Sequence, residues 1–481
     1  MNEIEKKKSN PLINISKKTF LQVTILLFAL VVGSAILTYV IPRGQFGTLA
    51  DGAVDYQQYI RRDDLRGISP IKAIFAPILV FLSSDGLSLL VLSIFLFVIS
   101  ASFQVMNDVG GIGALVGAVS TKFRNRKKTL LVLISLLFYC FGSFLGLFEE
   151  MLTMLPVVAI LCITLGYDSF TGFLCCIVAC GFGFAGAITN PFTVLLASEI
   201  IGVNPMAHIW YRLIIFAVMF LLFLGYLFFY VSRIGKDPTR SVTLEHDRKL
   251  REELSAKEGQ PENLPQNTKK TRIIYTAFLS FSLVLIITAS AVSALRGYTV
   301  PILIAYFLLF GLLAGMVASG KPQTVLKSFG KGFFGALPTI VFIAFAASVK
   351  YIFEEGKILP TVVHQINTLS EGKNVFLIAL LIYLIVLALE FFISSSTAKA
   401  VLVMGLLAMV QIGLSKEMMV LLYTFADGYT NVLFPTSPVL LISLSMIGVD
   451  YFRWVKKSFP LFAANVILVV AFILIGVAIG Y

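Results

Sequence analysis

The chain has 481 residues, of which 58% are hydrophobic and 13% are charged, whereas roughly a quarter of the residues of a soluble domain are charged. The mean hydropathy of +0.91 excludes a soluble protein and indicates a polytopic membrane protein. The net charge of +12 does not indicate nucleic-acid binding, because the basic residues cluster in loops beside apolar segments, as the positive-inside rule describes.

Residues 1–19 contain a run of lysines and precede an apolar segment at 20–42. This order resembles a signal peptide, but the apolar segment exceeds the roughly 7–15 residues of a signal sequence, and no small-residue cleavage site follows it. We interpret it as the first spanning helix, preceded by a cytoplasmic N-terminus. A span needs about 20 apolar residues. Single spans are predicted at 20–42, 85–107, 208–232, 273–295, 299–319, 333–352 and 459–481.

Two further apolar stretches, 129–166 and 374–412, are longer than a single span. Each is interrupted near its middle by small or polar residues, "FGSFLGLFEE" at 141–150 and "LEFFISSSTAKA" at 389–400. Two short apolar arms with a polar tip are typical of a re-entrant hairpin. We therefore predict one hairpin in each stretch.

An apolar run with a polar break follows each hairpin, at 169–203 and at 417–449. The breaks read "ITNPFT" at 188–193 and "YTNVLFPTSPVLL" at 429–441. Proline removes a backbone donor, and in lipid the freed backbone groups need partners. Either neighbouring helices satisfy these kinks, or the half-helix ends bind a ligand near the bilayer midplane. The helix-breaking prolines are Pro191, Pro435 and Pro438.

The hydrophilic segment 233–272 divides the apolar part of the chain into two halves, 20–232 and 273–481. We interpret this segment as a cytoplasmic linker that serves as a connection. Its charge pattern predicts one short surface helix at 243–255. The two halves are expected to be the two transmembrane units of the protein.

Weak sequence matches relate the two halves. "IIGV" at 200–203 matches "MIGV" at 446–449, and four other pairs share the same separation of 246 residues. A common offset indicates an internal repeat. The additional span at 299–319 reverses the second half in the membrane, so we predict two inverted repeats, each with a re-entrant hairpin and a broken helix. This all-α arrangement is typical of secondary transporters.

Two adjacent glutamates, Glu149 and Glu150, lie near the middle of the first hairpin stretch, where an acidic side chain facing lipid costs on the order of 2.5–3.5 kcal/mol. They are expected to bind a cation, a cationic group of the substrate or a proton, unless they form a structural ion pair, for instance with Lys399. A sodium site near Asn190 and Ser396 is also expected, with no cofactor. The side chains predicted to line the substrate site are Glu149, Glu150, Thr189, Asn190, Thr193, Ser394, Ser395, Ser396, Thr397, Asp427, Thr430, Asn431, Thr436 and Ser437.

The segment "GLFEEMLTMLPVVAILCITLGYDSFTG", followed by "GAITNPFTV", resembles the YfcC-like branch of the anaerobic dicarboxylate carrier family, within the ion-transporter superfamily. The resemblance covers most of 18–481 except the linker and implies a two-hairpin, inverted-repeat carrier. It also implies carboxylate substrates or, in this branch, exchange of basic amino acids such as arginine for ornithine. Carried over by motif, Glu149, Glu150, Asn190 and Pro191 belong to the first-half site. The run "MLTMLP" after the glutamates is less polar than in the family.

The predicted site favours a substrate with an ammonium or guanidinium group and one carboxylate. We therefore predict a secondary active transporter in the plasma membrane that exchanges a small, basic amino acid by alternating access, with sodium ions or protons as possible coupling ions. Its partners are then the lipid bilayer, a small-molecule substrate and a second copy in a homodimer. The alternatives are an ion-coupled carrier of dicarboxylates or other small organic anions and, more distantly, a channel. An enzyme is not expected, because the sequence has neither an HExxH motif nor a second aspartate in a GxGD context to accompany Asp168.

Overall fold

The computed structural model is a helical bundle with one small β-hairpin, which confirms the predicted all-α class of its membrane body. It describes residues 17–48, 54–62, 67–84, 86–123, 125–258, 268–292, 294–295, 298–358, 360–361, 364, 373–391, 400, 403–404, 407 and 413–481.

The helices of the first half and of the linker form where apolar runs or charged surface patterns favour them. They are α1 (Lys17–Val40), α2 (Pro70–Leu79), α3 (Gly86–Asp108), α4 (Gly111–Lys122), α5 (Lys127–Cys140), α6 (Leu155–Thr164), α7 (Ser169–Ala185), α8 (Pro191–Ile201), α9 (Ile209–Lys236) and, in the linker, α10 (Leu244–Glu258). Short 3-10 turns lie at Val80–Leu82, Glu149–Thr153 and Pro238–Arg240, and π-helical turns at Phe141–Leu145, Leu174–Val178 and Pro191–Leu195.

The described helices of the second half also form in apolar runs, which end at polar residues, glycine or proline. They are α11 (Thr268–Ala291), α12 (Thr299–Ser319), α13 (Pro322–Gly335), α14 (Leu337–Glu355), α15 (Val375–Glu390), α16 (Lys416–Thr430), α17 (Pro438–Met446) and α18 (Tyr451–Ala478).

Seven helices among the described residues are long and apolar enough to cross a membrane. They are Gly86–Asp108, Lys127–Leu145, Ile209–Lys236, Lys269–Ala289, Thr299–Ser319, Pro322–Glu355 and Tyr451–Ala478. Six of them overlap spans that the sequence predicts. Large apolar side chains on their outer faces are exposed, among them Leu221 at 63%, Phe459 at 68% and Ile467 at 72%. These apolar side chains can contact lipid tails. The helical backbone forms its own hydrogen bonds, so it needs no partner from the bilayer.

The first predicted hairpin has arms of unequal length. Its first arm, Lys127–Leu145, is long enough to cross a membrane, whereas its second arm, α6, has 10 residues. The sequence predicted two short arms. The first arm ends at Gly146, whose φ of 68° is a left-handed conformation that glycine adopts readily. The re-entrant path of this segment stays a prediction.

The second predicted hairpin is described mainly in its first arm, α15. Its predicted tip, Ser394, Ser395, Ser396 and Thr397, lies outside the described residues together with Lys399.

Two consecutive helices of each half have boundaries that share the offset of 246 residues. Shifting α7 and α8 by 246 residues places them on α16 and α17 to within one residue at every end. Both halves thus contain a helix, a break of five to seven residues and a second short helix. The opposite orientation of the two halves in the membrane stays a prediction.

Part of the polar segment 43–68, for which the sequence analysis predicts no strand, forms an antiparallel β-hairpin of β1 (Gly44–Thr48) and β2 (Val54–Arg61). Contacts with the second half hold it. The Tyr59 hydroxyl lies 2.7 Å from Thr361 Oγ1, and the Tyr59 ring stacks on His364 at 4.1 Å. These long-range contacts are why local sequence did not reveal the strands.

Helix α16 lies at the centre of the bundle, because every residue from Met418 to Thr430 is buried. It packs against α7, α8, α15 and α18. Both helix breaks are positioned by this central helix.

Candidate functional site

Asn190 organises the first helix break. Its Oδ1 accepts hydrogen bonds from the N–H groups of Phe192 at 2.9 Å and Thr193 at 3.3 Å. Its Nδ2 donates to the Gly142 carbonyl at 3.0 Å. Asn190 therefore caps α8, where Pro191 is the first residue, and ties the break to the end of α5.

The π-helical turn at the end of α5 satisfies the backbone of the break. The Ser143 carbonyl accepts from the N–H groups of Ile188 at 3.1 Å and Thr189 at 3.3 Å, and Ser143 Oγ donates to the Gly186 carbonyl at 2.8 Å. Thr189 Oγ1 donates to the Phe144 carbonyl at 3.1 Å. The proline kink is thus satisfied by neighbouring protein groups, which was the structural alternative for this motif.

The two glutamates occupy the 3-10 turn Glu149–Thr153, which packs against α17. Glu150 is 8% exposed. Within the described part of the chain, no ion pair involves Glu149 or Glu150. Two carboxylates without a cationic partner, in a bundle of spanning helices, leave room for a positive charge brought by a ligand.

Cysteine side chains hold this turn against α7. Cys180 Sγ lies 2.6 Å from the Leu147 carbonyl, and Cys176 Sγ lies 3.6 Å from the Met151 carbonyl. Both thiols are buried. They act as small core groups that accept close packing.

The second helix break joins α16 to α17. Asn431 Nδ2 donates to the Asp427 carbonyl at 2.7 Å, which closes the end of α16. Ser437 Oγ accepts from the Leu440 N–H at 3.5 Å and caps α17. Within the break, the Val432 carbonyl accepts a hydrogen bond from Trp454 Nε1 of α18 at 2.9 Å.

Polar side chains of the second half lie inside the bundle next to this break. Asp427 is fully buried and Glu390 is 4% exposed. Thr430 Oγ1 lies 3.5 Å from Glu390 Oε2. Thr436 is also buried. The structure therefore gathers the predicted polar residues of 427–437 in one buried region, with Glu390 as an additional member.

The two breaks lie side by side because α7 and α16 approach closely. A Cβ on Gly428 would lie 2.3 Å from the Ala185 Cα, and a Cβ on Gly181 would lie 2.5 Å from Val432 Cγ1. Only glycine permits this backbone distance. Packing thus brings together the glutamate turn, the first break and the second break. These three segments contain all the predicted site residues except Asp427, Ser394, Ser395, Ser396 and Thr397.

The sequence analysis did not select three polar residues that the structure places in the same core. Asn465 of α18 is fully buried. The hydroxyls of Tyr383 and Tyr429 lie 2.7 Å apart, between α15 and α16. A lone asparagine within the predicted span 459–481 was the available signal for the first of them. The two tyrosines carry no such signal in the sequence, because their pairing depends on packing.

A second polar cluster joins the linker to the N-terminus of α7. Asp168 accepts hydrogen bonds from the hydroxyls of Thr171, Tyr230 and Ser241 at 2.5–2.6 Å. Asp247 of α10 accepts from the Ser169 N–H at 2.9 Å and hydroxyl at 2.6 Å. The motif "LGYD" is therefore part of a dock for the linker, which the sequence analysis interpreted only as a connection.

The carboxyl of Asp247 lies outside the spanning helices. Burial raises its pKa, against three hydrogen bonds from Ser169 and Thr243 that lower it. Desolvation of the charged form thus outweighs the donors around it. The stability of the docked linker consequently depends on whether Asp247 is charged.

Comparison with known proteins places the chain among transporters. Residues 20–478 match the family model described as "DcuC: C4-dicarboxylate anaerobic carrier". The chain is 26% identical over 380 residues to a protein of Escherichia coli (strain K12) named "Putative basic amino acid antiporter YfcC", covering 75% of the chain and 72% of that protein. It is 24% identical over 372 residues to an uncharacterised protein of Haemophilus influenzae, covering 76% and 72%.

Two solved transporter structures are also similar to the chain. The Alcanivorax borkumensis YdaH transporter has 13% identity and a TM-score of 0.41, with 96% of this chain and 98% of that chain covered. Neisseria gonorrhoeae MtrF has 16% identity and a TM-score of 0.40, with 97% and 95% covered. The match along residues 20–478, which includes both hairpin stretches and both helix breaks, shows that the chain belongs to the C4-dicarboxylate anaerobic carrier family and is a membrane transporter.

Proposed function

We propose that this transporter exchanges small basic amino acids, in the manner of arginine for ornithine. The observation that carries this proposal is the buried turn with Glu149 and Glu150, which no described basic residue neutralises. An ammonium or guanidinium group supplies the missing charge, and charge-assisted hydrogen bonds to a carboxylate are among the strong ones. The name of the Escherichia coli relative supports the same substrate class.

The carboxylate of the substrate needs donors at the other side of the site. In the proposed arrangement, α17 presents its N-terminus, with Ser437 as cap, and the buried hydroxyls of Thr430 and Thr436 lie nearby. The positive end of a helix dipole favours an anion. In this arrangement the cationic group of the substrate binds to the glutamates and its carboxylate binds at the second break. Both charged groups belong to one zwitterionic substrate with a charged side chain.

We propose that transport proceeds by alternating access, with the hairpin-containing units moving against the remaining spans. Thr189 and Asn190 then position the first break, since their side chains already bond to protein groups. Ser394, Ser395, Ser396 and Thr397 are proposed to complete the site from the second hairpin. Location in the plasma membrane, a cytoplasmic N-terminus and linker, coupling to sodium ions or protons, and a homodimer belong to the same proposal.

A dicarboxylate carrier is the second candidate, because the family description names C4-dicarboxylates. In that case Glu149 and Glu150 hold coupling cations, and hydroxyls and helix ends hold the substrate carboxylates. The two candidates differ in which solute drives exchange.

Counterflow in proteoliposomes tests this proposal. Vesicles are loaded with unlabelled arginine, ornithine, lysine, aspartate or succinate, and entry of labelled arginine is followed. Uptake driven by internal ornithine or arginine, and not by succinate, is the expected result. If labelled succinate exchanges with internal succinate while all basic amino acids fail, the dicarboxylate assignment replaces the proposed one.

A further inference from the structure

Asn465 lies at the middle of α18 (Tyr451–Ala478) and is fully buried. Within the described residues, neither its Oδ1 nor its Nδ2 has a hydrogen-bond partner. The amide carries one acceptor and two donors. Burying such a group without partners is costly in a protein interior and more so in a bilayer.

Three other buried hydroxyls of α16, α17 and α18 are satisfied by carbonyls of their own helix. Ser458 Oγ donates to the Trp454 carbonyl at 2.8 Å, in the same helix as Asn465. Ser443 and Thr424 bond to carbonyls four residues earlier in α17 and α16. The unpartnered amide is therefore not a general property of these helices.

Asn465 lies on a stripe of α18 that contacts the central helix α16. Phe462 and Phe472 lie on the same stripe of α18, at helical spacing from Asn465. Their rings pack against Tyr429 at 6.1 Å and Phe425 at 6.4 Å. Asn465 thus lies between two contacts with α16, the helix that carries Asp427 and Thr430 to the second break.

We propose that Asn465 binds the α-amino-acid head group of the substrate, with Nδ2 donating to the carboxylate and Oδ1 accepting from the ammonium. This assignment rests on the proposed amino-acid substrate. Both orphan atoms point to that class, because a dicarboxylate offers only acceptors and leaves Oδ1 unpaired. A sodium ion uses only Oδ1 and leaves Nδ2 unpaired.

The test is ligand-dependent thermal stabilisation of the purified full-length protein, titrated with arginine, agmatine or succinate. Agmatine has the guanidinium and an ammonium group but no carboxylate. Asn465→Asp keeps the acceptor and replaces the donor by a repelling oxygen, so it should weaken arginine binding about tenfold or more while retaining agmatine. Asn465→Leu removes both polar atoms and should raise the melting temperature without ligand, but lose arginine binding.

Ser135→Ala is the matched control, because Ser135 Oγ of α5 is also buried without a described partner and lies outside the proposed site. It should bind arginine as the wild type does. If the wild type responds to arginine and both Asn465 variants bind it with unchanged affinity, the Asn465 assignment is overturned while the proposed function stands. If the wild type responds to succinate and to neither arginine nor agmatine, the proposed function and this assignment both fall.

Discussion

At the scale of single residues, polar side chains at the first break and at the glutamate turn differ in whether the protein supplies their partners. The side chain of Asn190 forms its hydrogen bonds with protein groups, namely the Gly142 carbonyl and two N–H groups of α8. Glu149 and Glu150 have no ion pair among the described residues. In the proposed function, Asn190 therefore has a structural role and the glutamates recognise charge.

Replacing Glu149 or Glu150 by Gln tests this distinction. Each variant keeps the size of the side chain but loses its charge, so exchange in proteoliposomes should fall by about tenfold or more, as expected when a charged hydrogen-bond partner is lost. Glu199→Gln is the control, since it makes the same substitution at an exposed position. Full exchange activity in both single variants would contradict the site assignment.

At the scale of elements, close contact between α7 and α16 sets the positions of both breaks. The contact depends on Gly428, where a Cβ would lie 2.3 Å from the Ala185 Cα. Since the atom that this Cβ would meet belongs to the backbone of Ala185, it cannot rotate away. A larger residue must push the two helices apart.

Gly428→Ala should destabilise the protein by about 1–3 kcal/mol, the usual cost of overpacking a core, and should reduce exchange because the breaks separate. Gly225→Ala in α9 is the matched control, since nothing lies within 4 Å of its Cβ position. There alanine should be neutral or stabilise the helix by up to about 1 kcal/mol. Thermal unfolding in detergent measures both, and equal melting temperatures would refute the role of Gly428.

At the scale of the whole molecule, the linker packs against the membrane body through Asp168 and Asp247. The dock lies at the N-terminus of α7, the helix that ends at the first break. A linker with only a connecting role needs no such hydrogen bonds. This contact therefore joins the linker to an element of the proposed site.

Asp247 makes the stability of this dock depend on pH. Because burial raises its pKa in the folded state, its contribution is fully present below the unfolded pKa of about 3.9 and is lost as pH rises through the folded pKa. The difference in melting temperature between wild type and Asp247→Asn should therefore fall as pH rises from below 4.

Asp237→Asn provides the opposite control for this pH dependence. The Thr239 hydroxyl lowers the pKa of Asp237, so its contribution is present above the unfolded pKa and is lost as pH falls through the folded pKa. A flat difference for Asp247→Asn across this range would contradict the buried dock.

Much of the architecture followed from sequence, because a bilayer imposes its length and polarity on every span. The glutamate pair and both breaks were found because polar groups and prolines in apolar runs are rare. The β-hairpin and the linker dock were missed, since each depends on partners far away in the chain. Asn465 was missed because its burial without a described partner is a property of the packed bundle. The second hairpin tip lies outside the described residues, so its predicted role is untested.

The sequence by itself determined the membrane class, the family, most spans, the 246-residue repeat offset and the two breaks. These features depend on local hydropathy and on short motifs, which can be recognised without knowing how the helices pack. Only the tertiary structure decided that Asn190 is bonded within the protein, that Gly428 brings the breaks together and that Asn465 is left without a described partner. The physical reason is that hydrogen-bond satisfaction and close packing are properties of pairs of groups, and the sequence specifies those pairs only through the fold.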